Sequence, residues 1–195
     1  MMRFYAPRLF KLYDYYHSID QLISRLPRPF TVFLKSYLEN KSVVGVEIGV
    51  QRGDNARNLF EMLNIKHLFL IDPYESYFDV GRMRGKRAKQ YSEEMRSQLN
   101  PFWDRITLIR DFSENAIHKI PIVDFVYIDG NHTYKFVKSD LDLYYPKTRI
   151  ALAGHDFHFK CEGIQRAVTE FARARDLPLY IEIPDFWFIR PQLLS

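Results

Sequence analysis

From Val43 onward, apolar runs of strand length alternate with stretches that carry helical spacing. Val43–Ile48 is almost continuously apolar, which suits a strand buried on both faces. Asp54–Leu63 has the spacing of an amphipathic helix, and His67–Ile71 is a second apolar run. The same alternation predicts a strand over Ile106–Arg110, a short helix over Ser113–Lys119, a strand over Val123–Asp129 and a helix over Tyr134–Tyr144. A strand over Ile150–Ala153 and a helix over Gly163–Arg175 follow. Two last strands, Leu179–Ile183 and Trp187–Ile189, are joined by a turn at Pro184-Asp185. Strands separated by helices predict an α/β fold with a mostly parallel, doubly wound sheet, and the closing hairpin adds an antiparallel edge.

Two segments stand outside this rhythm. Residues 1–41 read as a helical cap on an α/β core of residues 42–195, the whole forming one domain. Within the cap, Ser18-Ile19-Asp20-Gln21 starts a helix with Leu22, Ile23 and Leu26, Pro27 and Pro29 interrupt it, and Phe30–Leu38 forms a second. Tyr13, Tyr15, Tyr16, Phe30, Phe33 and Tyr37 make the cap aromatic, suited to packing on the core or to a homodimer face. The insertion 73–104 does not alternate. It carries Arg82, Arg84, Lys86, Arg87 and Lys89, then a helix over Ala88–Leu99. Such a basic run is a solvated helix face, a lid, or a contact for an anionic substrate.

Composition changes this picture little. The chain has 195 residues, 47% of them hydrophobic, enough for a sizeable single core. A net charge of +4 permits an acidic partner without requiring one. The single cysteine, Cys161, excludes an internal disulfide and a cysteine-based zinc site. No run approaches the roughly 20 apolar residues of a membrane span. Nor does the start carry the apolar stretch of a signal peptide, so a cytoplasmic protein without membrane attachment is expected.

The chemistry gathers behind the strands. Glu47-x-Gly49-x-x-x-Gly53 follows the first strand and Asp72 ends the second. Glycines there let backbone approach a ligand, and a carboxylate at the second strand tip can accept bonds from ribose hydroxyls. The spacing is not the dinucleotide Gly-x-Gly-x-x-Gly. Asp111-Phe112-Ser113 follows the third strand, where an acid and an aromatic ring can bracket a purine. Asp129-Gly130-Asn131-His132 follows the fourth, and Gly154-His155-Asp156 the fifth.

These motifs together resemble class I S-adenosyl-L-methionine-dependent methyltransferases over Val43 to Ile189. A narrower resemblance, carried by Asp124 to Tyr134 and by Ala153-Gly154-His155-Asp156-Phe157, is to the branch of macrolide-sugar O-methyltransferases and cephalosporin-hydroxylase-like proteins. The resemblance implies that Glu47, Gly49, Gly53, Asp72, Asp111, Phe112, Ser113 and Asp129 contact S-adenosyl-L-methionine. It implies His132 as general base, and magnesium held by Asp129 and the pair His155-Asp156. His155 departs from the pattern, standing where an acid is expected. Other readings remain for single residues: Asp156 as the cap of the following helix, His132 as a helix-start histidine bonded to backbone, and Glu47 as a holder of the glycine loop. The expected acceptor is a small-molecule or glycan hydroxyl. The rival readings are a non-catalytic binding protein, a nicotinamide-dependent oxidoreductase and an RNA methyltransferase. Against the last, no Asn-Pro-Pro-Tyr-type motif follows the fourth strand, so a nucleic-acid partner is not expected.

Overall fold

The computed structural model describes residues 27–75 and 85–190. The first cap helix, with Tyr13, Tyr15 and Tyr16, lies outside the described residues, as do Arg82 and Arg84 of the basic run. The described chain begins with helix α1 (Pro29–Leu38), strand β1 (Val43–Ile48), helix α2 (Asp54–Met62) and strand β2 (Ile65–Ile71). Helix α3 (Gly85–Leu99), a 3-10 segment (Asn100–Arg105) and strand β3 (Ile106–Ile109) follow. Next come a single turn of helix, α4 (Ser113–Ala116), a 3-10 turn (Ile117–Lys119) and strand β4 (Val123–Ile128). Helix α5 (Tyr134–Tyr144), a 3-10 turn (Tyr145–Lys147) and strand β5 (Thr148–Gly154) lead to helix α6 (Glu162–Ala174) and strands β6 (Tyr180–Glu182) and β7 (Asp185–Ile189).

The strands form one seven-stranded sheet in the order β3-β2-β1-β4-β5-β7-β6. The pairs from β3 to β5 are parallel, and β7 is antiparallel to both β5 and β6. This is the mixed, doubly wound sheet that the alternation predicts. Strand order reverses between β1 and β4, and a crevice for ligand opens at the carboxyl ends of strands where such a reversal occurs.

Helix α1 starts where Pro29 fills the first helical position, whose N–H has no partner in any helix. Its buried Phe30, Leu34 and Leu38 repeat every fourth residue and form one apolar stripe. Helix α6 buries Ile164, Ala167, Val168, Phe171 and Ala172 by the same rule. Two apolar clusters result, one on each sheet face. One joins α1, α2 and α3 to the sheet through Phe30, Leu59, Met95 and Phe125. The other joins α5 and α6 through Leu141, Tyr144, Val168 and Phe171. Among the described residues no helix is long and apolar enough to cross a membrane.

The element limits differ from the sequence reading where backbone pairing outruns side-chain pattern. Strand β2 begins at Ile65 and β5 runs over Thr148–Gly154, because parallel neighbours continue the ladder past the apolar run. The last hairpin needs a correction. Its turn is Ile183-Pro184, and Asp185 is the first residue of β7, paired with Glu182. Asp185 is fully buried: its Oδ2 accepts the Phe30 N–H at 3.0 Å and its Oδ1 accepts the Tyr127 hydroxyl at 2.8 Å. One carboxylate thus ties α1 and β4 to the sheet edge. Asp185→Ala leaves both donors buried without partners. It is expected to lower stability by about 2–4 kcal/mol in urea unfolding, with Asp185→Asn losing less because its amide oxygen can still accept the Phe30 N–H while its NH2 donates to the Tyr127 hydroxyl oxygen.

Candidate functional site

The site is built where β1 and β4 end side by side. The Gly49 N–H donates to the Ile71 carbonyl at 2.9 Å, and the Asp129 N–H donates to the Ile48 carbonyl at 2.7 Å. The first ties the β1 loop to the end of β2, and the second presses it against the β4 loop. A Cβ on Gly49 would stand 2.1 Å from the Asp129 carbonyl oxygen, and its φ of +84° lies in the left-handed region. Gly53, at φ +85°, forms the N-cap of α2 and turns the loop into the helix.

Asp72 holds this loop. Its Oδ2 accepts the N–H groups of Val50 and Gln51 at 3.0 Å each, and its Oδ1 accepts that of Tyr74 at 2.8 Å. The Tyr74 hydroxyl returns to the Gln51 carbonyl at 2.9 Å. A carboxylate has about four acceptor directions. Three serve backbone here, leaving one Oδ1 direction for a ligand hydroxyl. Burial raises the Asp72 carboxyl above its ordinary value against the pull of these N–H groups.

Glu47 projects from β1 and is 1% exposed. Its Oε1 accepts from the Asn55 amide at 3.3 Å. Its Oε2 and the Asn55 Oδ1 are buried with no hydrogen-bond partner among the described residues. Burial, reinforced by the neighbouring Asp129 charge, pushes the Glu47 carboxyl up to about 8. Two adjacent orphan acceptors are expensive unless a donor with several N–H groups meets them.

Two clefts flank the Gly130-Asn131 turn, which lines both. The first is walled by Gly49, Pro73, Asp111, Phe112, Ser113, Phe136 and Asp140. Asp111 largely serves its own turn: Oδ1 accepts from the Phe112 N–H and the Asn115 amide at 2.9 Å each, and Lys119 Nζ lies 3.5 Å from Oδ2. Ser113 donates its hydroxyl to Asp140, a buried acid that burial pushes up to about 7.

The second cleft contains Asp129, His132 and His155, beside Ile164 and Phe186. Here the structure assembles an acid–imidazole cluster. Asp156 Oδ2 lies 3.1 Å from His132 Nε2. Its Oδ1 lies 3.1 Å from His155 Nδ1 and 3.2 Å from His158 Nε2. Asp129 Oδ1 is 3.7 Å from His155 Nδ1 and 3.9 Å from His132 Nε2, and Asp129 Oδ2 meets the Arg28 guanidinium at 3.4 Å. Burial raises the Asp129 carboxyl despite His155 and Arg28. For Asp156, burial is outweighed by the His155 and His158 hydrogen bonds, which hold it well below the usual carboxylate range. For His155, burial is outweighed by the Asp129 charge and the Asp156 bond, which raise it.

Asp156 does not cap the next helix, since α6 begins at Glu162 with Cys161 as its N-cap. It sits at φ +59°, a left-handed turn that aims its carboxylate at the imidazoles. Of the residues singled out from sequence, Gly49, Asp111, Phe112 and Ser113 line the first cleft and Asp129, His132 and His155 the second, while Glu47, Gly53, Asp72 and Asp156 line neither. Arg28, Asn55, Tyr74, Asp140 and His158 were missed. His158 is two residues from Asp156 and could have been found as part of a His-Asp-x-His pattern. Arg28 had no such signal, because the fold alone brings it to a partner 101 positions away.

Two groups implied for such a site can be tested against these residues. An ammonium-bearing adenosyl ligand fits: Glu47 and Asn55 each keep a buried oxygen without a partner among the described residues, Gly49 and Gly53 form a positive-φ turn after the same strand, and Pro73, Phe112 and Phe136 give the first cleft apolar walls. Magnesium fits poorly. It demands a near-octahedral set of oxygens, and His155 presents nitrogen where an oxygen ligand would stand.

Residues 46–156 match a family described as "Methyltransferase domain". No curated protein matches the chain. Among solved structures, CalS11, a calicheamicin methyltransferase, superposes with a TM-score of 0.62 at 15% identity, covering 89% of this chain and 79% of that one. An O-methyltransferase from Bacillus cereus in complex with SAH gives 0.58 at 12% identity, covering 94% and 92%. An rRNA methylase from Streptococcus thermophilus gives 0.57 at 16% identity, covering 86% and 98%. At such identities the likeness establishes the fold alone.

The strand-end geometry makes a direct forecast. Gly49→Ala forces a β-carbon into the Asp129 carbonyl and is expected to cost about 2–4 kcal/mol in thermal or urea unfolding. Gly53→Ala, whose β-carbon would meet the Met95 side chain at 3.1 Å, is expected to cost about 1 kcal/mol.

Proposed function

The chain belongs to the methyltransferase-domain family, and from that premise we propose that it moves a methyl group from S-adenosyl-L-methionine to a hydroxyl of a small-molecule or glycan acceptor. The observation that carries the cofactor assignment is the buried orphan pair, Glu47 Oε2 and Asn55 Oδ1. A methionine ammonium brings three N–H donors and a positive charge, which answers both atoms at once. The glycine turn lets backbone approach the ligand, the remaining Asp72 acceptor direction takes a ribose hydroxyl, and Phe112, Pro73 and Phe136 supply apolar walls for the purine. Bound there, the sulfonium supplies an activated methyl group.

The protein's part is then alignment, exclusion of water and removal of one proton. The acceptor belongs in the second cleft, across the Gly130-Asn131 turn from the cofactor. His132 is the base. An ionised Asp156 accepting from Nε2 leaves Nδ1 as the nitrogen able to take the hydroxyl proton. Asp156 also stabilises the imidazolium that forms, in the manner of an acid that orients a catalytic histidine. The Arg28 guanidinium, 3.4 Å from Asp129 Oδ2, favours the ionised form of that acid against the effect of burial.

Two outcomes test the roles. His132→Ala is expected to lower turnover by about 10²–10⁴-fold while leaving S-adenosylhomocysteine affinity within about twofold. Unchanged turnover would remove the base assignment. The second concerns Glu47. Its carboxyl titrates near 8 without ligand, so it is protonated at pH 7, whereas contact with an ammonium favours the carboxylate. Cofactor binding should therefore release a proton at pH 7, and affinity should rise with pH up to about 8. Calorimetry in buffers of different ionisation enthalpy measures this, and Glu47→Gln should abolish it. The sign for folding follows the same shift. The folded-state value is raised, so Glu47 costs the wild type stability as pH climbs from the usual carboxylate range through 8, and Glu47→Gln should show a smaller loss, the remainder coming from Asp140 and the other buried acids.

A further inference from the structure

The sheet has two edges, and one of them is apolar and bare. Strand β6 pairs with β7 on one side, and no strand among the described residues covers the other. All three of its residues are exposed. An edge strand turns alternate N–H and C=O groups away from its single neighbour, which makes it a template for a further strand. Seven large apolar side chains are exposed among the described residues, and three of them, Tyr180, Ile181 and Ile183, lie in this one run. Glu182 is the only charge between Leu177 and Pro184. The edge is also held firmly. Tyr180 stacks on Trp187 with 6.1 Å between ring centroids, and Trp187 stacks on Phe33 of α1 at 5.1 Å. The Phe157 N–H donates to the Pro184 carbonyl at 2.9 Å, fixing the turn after β6 to the loop after β5. A strand already fixed in place loses little freedom on pairing.

The strand that fits this edge is its own copy. Pro178 and Pro184 bracket the run, and neither has an N–H to donate, so pairing is confined to residues 179–183, with Ile181 at the centre. Antiparallel pairing about a two-fold axis at Ile181 sets that residue against itself, Tyr180 against the partner's Glu182, and Leu179 against the partner's Ile183. Apolar side chains meet at the centre and at both ends, and no like charges stand opposite one another. An axis at Glu182 would oppose the two acids directly. An axis at Tyr180 would bring Pro178 into the ladder and leave Ile183 uncovered. We propose that β6 pairs antiparallel with β6 of a second copy of this chain, joining two seven-stranded sheets into one across a two-fold axis at Ile181. The pairing is independent of the cofactor and acceptor clefts and does not require methyl transfer.

The test is the mass of the untagged full-length chain by sedimentation equilibrium over a micromolar dilution series. Twice the chain mass is expected at the upper end. Ile181→Lys sets two ammonium groups face to face and should leave only monomer. Tyr180→Glu meets the partner's Glu182 with a like charge, whereas Tyr180→Lys gives that acid a counter-charge. The first should therefore dimerise on the order of tenfold more weakly than the second, although both lose the same ring contact. In a Cys161→Ser background, Ile181→Cys should form an inter-chain disulfide with copper–phenanthroline, and Tyr180→Cys should not, because the residue opposite it is Glu182. Circular dichroism confirms that each variant is folded. A monomeric wild type overturns the proposal, as when residues 1–26 of the same chain lie on this edge. So does a dimer that survives Ile181→Lys, or one that cross-links through position 180 and not 181, since the copies then meet elsewhere or in another register.

Discussion

Everything at this site depends on the contact between two strand ends. At the point where sheet order reverses, the β1 and β4 loops meet so closely that the β1 loop can have no side chain at Gly49. That contact sets the floor between two clefts and places Glu47, Asp72 and Asp129 within one buried electrostatic neighbourhood. Because the sheet beneath is nearly all apolar and parallel, the strand ends are held rigidly. The loops inherit that rigidity instead of having to generate it.

The second constraint is charge. Four carboxylates, Glu47, Asp72, Asp129 and Asp156, are gathered with limited access to water, and each is answered differently. Asp72 is met by backbone N–H groups, Asp129 by Arg28 and His155, and Asp156 by three imidazoles. Glu47 alone keeps an oxygen that nothing among the described residues meets. Such asymmetry distinguishes groups that build a site from a group that waits for a ligand. It also separates the two clefts chemically: one lies beside a buried carboxyl with an unpaired oxygen, the other holds a histidine braced by an acid.

Much of this was legible in the sequence because it rests on short-range pattern. The parallel strands were readable from their apolar runs, and α5 was read with both ends correct, since Tyr134–Tyr144 carries its own helical stripe. The loop chemistry was readable because a doubly wound sheet sends every such loop to one side. What was not legible is what the fold creates at long range. Asp185 followed a proline and looked like a turn residue, yet the antiparallel pairing of β7 buries it against Phe30 and Tyr127. Arg28 precedes a helix and reads as an ordinary surface cation until the packing of α1 brings it to Asp129. Asp72 was expected to face a ribose. Its dominant contacts are to the glycine loop, a backbone accounting that no residue pattern displays.

The measurement closest to the centre of this account is a calorimetric titration of the purified protein with S-adenosylhomocysteine, with NAD as the control. Saturable one-to-one binding of the first at micromolar concentration is expected, together with no detectable binding of the second. A folded protein that binds neither, or that prefers NAD, would contradict the assignment of the Glu47–Gly49–Asp72 crevice to an adenosylmethionine cofactor.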